Sequence, residues 1–142
     1  MSIKEDYKRP LNELYEMLTG DSKKLLDNDV KKVWGYFAKW LFVILFSLIS
    51  IGYLIFLNPY NENFGTWFQR SGSLISVVSI LVEVFFIIKL NKLVSVTHPA
   101  HLINEIYLFR RFKFILNLSV IVTVLLLVLG TIIWGYGDLF FE

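Results

Sequence analysis

Between Trp40 and Tyr60, Ser71 and Ile88, and Phe114 and Gly137, the chain holds a single Asp, Glu, Lys, Arg or His, and that residue is Glu83. A helix needs about twenty apolar residues to cross ~30 Å of hydrocarbon. The expected fold is therefore all-α, an integral membrane protein with three transmembrane helices. The spans are expected at about 37–57, 71–92 and 112–134 within a membrane domain covering 40–137. Residues 1–39 form a cytosolic amphipathic helical region before them, and 138–142 a short outer tail. The chain is 56% hydrophobic and 18% charged, which is more apolar than the roughly 45–50% of a soluble domain.

Charge distribution sets the expected orientation, because Lys and Arg flanking a span are retained on the cytoplasmic side. Residues 1–39 carry eight of these, the 58–70 loop only Arg70, the 89–113 connection five, and the chain after Phe114 none. The N-terminus is thus expected inside and the C-terminus outside, in a multi-pass membrane protein. Trp34, Trp40, Trp67, Arg70 and Trp134 are the expected interface anchors, with Tyr36, Tyr60 and Tyr136 beside them. No apolar run stands near the start, so the first span is expected to act as its own insertion signal. A net charge of +2 with basic residues at span borders predicts no direct nucleic-acid binding.

Ahead of the first span, Leu11, Leu14, Tyr15 and Leu18 recur at helical spacing after Pro10, with Gly20 suited to a C-terminal cap. A second helix is expected to start at Asp21 or Ser22 and to continue through Leu26, Val30, Val33, Trp34 and Phe37 into the membrane. These segments either lie on the lipid surface, with Lys23, Lys24, Lys31 and Lys32 near head groups, or pack on the ends of the other helices. Asn58 to Gly65 reads as a short turn-rich connector. Thr97-His98-Pro99 breaks the chain between spans two and three, and the third helix is expected from Ala100 to Trp134.

Glu83 is the sharpest local feature, since a carboxylate inside a span costs at least ~2.5 kcal/mol and is seldom left facing lipid. On a helical wheel Gly72, Ser76, Ser79 and Glu83 fall within about 60° of one another. Such a small, polar stripe suits close helix approach or subunit contact. Span three offers Ser119, Thr123 and Gly130 as a counterpart. Asn117 stands at a depth where it reaches Glu83, and Lys39 borders the first span. Two roles are open for Glu83: a hydrogen-bonded packing residue, or a pore-lining or proton-binding group.

No nucleophile, base and orienter coincide in the sequence, and phosphate-cradling glycine motifs are missing. A catalytic role and a cofactor are not expected. His98, His101 and Glu105 supply possible ligand atoms, but their spacing matches no strong zinc signature, so no metal is expected. Without cysteine there is no thiolate or disulfide chemistry.

The segment Trp67-Phe68-Gln69-Arg70-Ser71-Gly72-Ser73-Leu74, leading into the span that holds Glu83, resembles small inner-membrane effectors of bacterial phage-defence systems. Among these it is most similar to retron-associated transmembrane effectors. The resemblance implies a toxin held inactive by a reverse transcriptase bound to RNA-linked DNA, and released on infection to damage the membrane. Taken without the resemblance, the polar stripes fit a homo-oligomer that disrupts or permeabilises the bilayer. A holin-like lysis protein belongs to the same physical class, and an accessory or scaffold subunit of a larger membrane complex is the alternative.

Overall fold

A computed structural model describes residues 6–59, 61–95 and 102–141. The described elements are a short helix α1 (Leu11–Glu16), a long helix α2 (Gly20–Leu57), α3 (Phe64–Val94) and α4 (Leu102–Tyr136), followed by a 3-10 turn at Asp138–Phe140. α3 is α-helical over Phe64–Val82 and Ile88–Val94, with one π-helical turn, Glu83–Ile87, between them. α2, α3 and α4 are each long and apolar enough to cross a membrane, as the uncharged runs predict. Only 17%, 22% and 22% of their most apolar stretches are buried inside the protein. Phe56 is 86% exposed and Ile49 71%. In hydrocarbon such surfaces need no covering; in water a patch of this size would mark an interaction or aggregation surface.

Asparagines turn the chain at one end of the bundle. Asn58 takes a left-handed conformation (φ 36°, ψ 64°), which Asn tolerates better than most non-glycine residues. Its side chain donates to the Glu62 carbonyl at 2.8 Å and accepts from the Glu62 N–H at 3.3 Å. Asn63 then caps α3, its Oδ1 accepting from Gly65 N–H at 2.9 Å. α3 thus begins at Phe64, placing Trp67 to Arg70 inside the helix. The Ser71 hydroxyl donates to the Phe68 carbonyl of the same helix.

The opposite end is a compact head. At ~1.5 Å per residue α2 is about 57 Å long, well beyond the ~30 Å of hydrocarbon, so its first turns stand clear of the bilayer. There Leu14, Leu26, Val33, Leu90, Val94, Ile106 and Phe112 form one buried cluster joining all four helices. Burying each such side chain away from water is worth about 1.5–3 kcal/mol. Of the two placements open for the N-terminal helices, packing on the other helices is the one observed. Arg110 adds a hydrogen bond to the Arg9 carbonyl.

Two cap expectations are corrected. Gly20 is not a C-terminal cap but the first residue of α2, and Thr19, extended at ψ 161°, is the N-cap instead of Asp21 or Ser22. α1 ends earlier, with Met17 as its C-cap, so Gly20 is left free to open the next helix. Tyr60, the His98-Pro99 break and His101 lie outside the described residues.

Candidate functional site around Glu83

α3 and α4 meet backbone to backbone at Gly72 and Gly130. A Cβ at Gly130 would stand 2.7 Å from Ser76 Oγ and 2.9 Å from the Gly72 carbonyl oxygen. One at Gly72 would strike the Trp134 amide nitrogen and the Gly130 carbonyl. The predicted small stripe is therefore an intrachain helix contact over Gly72, Ser76 and Ser79. Its hydroxyls bond mainly to their own helix: Ser76 to the Gly72 carbonyl at 3.2 Å and Ser79 to the Ile75 carbonyl at 2.8 Å. Ser76 also meets Thr131 of α4 at 3.4 Å.

The predicted counterpart on α4 divides between two partners. Gly130 meets α3, whereas Thr123 accepts a hydrogen bond from Trp40 Nε1 of α2 at 3.2 Å. Ser119 is fully buried and donates to its own helix at the Ile115 carbonyl, 2.8 Å away. Trp40 is 3% exposed, so it is a core residue and not the predicted interface anchor. Its indole stacks on Phe37 and packs with Ile44, Val82 and Ile87.

The other anchors are on the surface. Trp34 and Trp134 are 47% and 57% exposed. Trp67 Nε1 donates to the Leu54 carbonyl at 3.0 Å, tying the loop ends of α2 and α3 together. Arg70 pairs with Glu62 at 2.6 Å. The tail folds back instead of trailing away: Phe141 meets Phe64 and Phe68 edge-on.

Glu83 itself leaves the stripe and is exposed. Val82, its neighbour, takes the buried position against Trp40 and Ile44, which turns Glu83 away from the core just where the π-turn starts. No hydrogen bond or ion pair links it to another side chain among the described residues, and the expected bond to Asn117 is not formed. Asn117 is exposed too, in a groove of about 280 Å³ that it shares with Ile87, Asn91, Leu116, Val120 and Ile121. Asn91 was not singled out by sequence reasoning; its position two residues after Lys89 reads as a border residue. Lys39 is likewise exposed and has no ion pair within the chain among the described residues.

A second polar site, in the head, lacked any sequence signal because three separate helices supply it. Asn12, Tyr15, Glu16, Asp27, Tyr107 and Arg111 line a depression of about 450 Å³. The Tyr15 hydroxyl donates to Asp27 at 3.3 Å, and Arg111 donates to the Tyr107 hydroxyl at 2.8 Å. Partial burial first, and then the charge and hydrogen bond of Asp27, push the Tyr15 phenol above its ordinary value.

No protein-family model, curated protein or solved structure matches the chain.

Proposed function

We propose that this chain is a toxin-like membrane effector of a bacterial antiviral defence system, which self-associates and permeabilises the inner membrane when its partner releases it. The observation that carries the self-associating part is Glu83, a carboxylate on an apolar helix that points out of the bundle with no side-chain partner among the described residues. It lies six residues from Lys89, about 9 Å along the axis and so within hydrocarbon depth. An intramembrane acid in that position calls for a partner outside the chain. The defence role and the inhibiting reverse transcriptase with RNA-linked DNA come from the resemblance of the Trp67–Leu74 segment. Basic residues on the N-terminal side of span one and between spans two and three favour an N-terminus in the cytoplasm and a C-terminus outside. The head then faces the cytoplasm, where the inhibiting partner is.

Inducible expression of the full chain in bacteria loaded with a membrane-potential dye tests this. Collapse of the potential and growth arrest without any partner is the expected result. Retained potential and normal growth, with the protein present in the membrane, would reject the permeabilising role. That outcome would favour a scaffold subunit, a second reading supported by the polar depression between Tyr15 and Arg111, which six polar side chains line.

A further inference from the structure

We infer that Glu83 of one copy pairs with Lys39 of the next, so that the flank of α3 carrying Glu83 docks on the flank of α2 carrying Lys39. Both side chains are exposed, and no ion pair joins them within one chain. Each adjoins a member of the same buried cluster: Lys39 precedes Trp40 and Glu83 follows Val82. Because α2 and α3 run antiparallel through that cluster, Lys39 leaves the bundle about one turn nearer the head than Glu83, an offset of ~6 Å that a lysine side chain spans when two copies are inserted in the same direction. The charges are opposite, and each is otherwise left against lipid or straining toward the interface. Lys89, the nearest cation on the same helix as Glu83, stands about a turn and a half further along and on a different face at ~100° per residue.

Two different faces in contact make a head-to-tail interface, which repeats from copy to copy and closes a ring where the rotation allows it. The π-turn at Glu83–Ile87 begins at this acid, and such turns recur at functional positions. This inference rests on the reading of the chain as a self-associating membrane protein.

The chain has no cysteine, so single introduced thiols report cleanly. Val84→Cys and Ala38→Cys, exposed positions beside the pair that leave both charges in place, each in a full-length chain with its own tag, are co-expressed in bacteria, and the membranes are treated with a short bismaleimide. A bifunctional reagent is used because the two long side chains hold their backbones farther apart than a disulfide spans. The expected product carries both tags, at a yield about tenfold above either variant alone. A dominant homodimer of the Val84→Cys chain, or no product between chains, would overturn the pairing.

A second measurement uses the native charges. Glu83→Gln and Lys39→Gln are each expected to lower the oligomer fraction about tenfold. The exchange Glu83→Lys with Lys39→Glu is expected to restore it, and failure to restore would also overturn the pairing. Membrane potential followed in the same cells separates the seam from the permeabilising role. Cross-linking with retained potential supports the seam and removes permeabilisation; collapse of potential without cross-linking does the reverse.

Discussion

Gly72 and Gly130 face each other across α3 and α4, each backbone filling the space a side chain would need on the other. The nearest atoms to a Cβ on Gly130 are those of Ser76 and Gly72, at 2.7 to 2.9 Å. Lipid offers little hydrophobic drive for helices to associate, so van der Waals packing of this closeness is a main source of the attraction.

Gly130→Ala is accordingly expected to push the helices apart and destabilise the bundle by about 1–3 kcal/mol, as overpacking does. Gly52→Ala is the control, because a Cβ there has no neighbour within 4 Å. Reversible unfolding in detergent should shift for the first variant and not for the second. Equal behaviour of the two would mean that the close approach contributes nothing.

The bond from Trp40 to Thr123 joins α2 to α4 within the apolar core. Trp40→Phe keeps most of the packing but removes the donor, and should cost about 0.5–1.5 kcal/mol. Thr123→Val removes the acceptor. The double variant should cost less than the two single losses added together, because either substitution alone already breaks the same bond. Additive losses would show that the bond carries no energy of its own.

At the loop end, Asn58→Ala loses two side-chain hydrogen bonds to Glu62 and leaves a residue with a Cβ at φ 36°. A loss of about 1–3 kcal/mol is expected for a non-glycine residue so placed. Asn58→Gly relieves the backbone part alone, so its unfolding midpoint should lie between those of the wild type and the alanine variant.

Much of this architecture is legible in the sequence because hydrocarbon imposes simple rules. Long uncharged runs read directly as α2, α3 and α4, and Gly72, Ser76 and Ser79 as a contact stripe. The wheel fails at Glu83 because it assumes one buried face along the whole helix. The helix passes from packing on α4 to packing on α2 as well, Val82 takes the buried place against Trp40, and a π-turn follows. Trp40 misleads for a related reason: a tryptophan near a span border suits the interface equally well, and only the position of Thr123 on another helix makes it a core residue. The Tyr15–Arg111 depression was beyond sequence patterning, since its residues are about eighty apart between Asp27 and Tyr107 and meet only after α1 folds onto α4.

That depression yields a pH dependence with a definite sign. The Tyr15 phenol titrates above its ordinary 10.0 because partial burial, and then the negative Asp27 beside it, both oppose its ionisation. The folded protein holds this proton more tightly than the unfolded chain does. Its contribution to stability is therefore complete below pH 10 and is lost as the pH rises through the folded value. Docking of α1 depends on Tyr15 and Leu14 from that helix, so α1 should loosen before the membrane-spanning helices do. Hydrogen exchange at α1 between pH 8 and 12 measures it, with Tyr15→Phe as reference, because every other group is the same in both proteins. The wild type should lose protection of α1 more steeply above pH 10 than Tyr15→Phe. Asp27→Asn should shrink the difference without abolishing it, since burial is the larger cause and remains. The same steepness in Tyr15→Phe as in the wild type would assign the alkaline loosening to other groups.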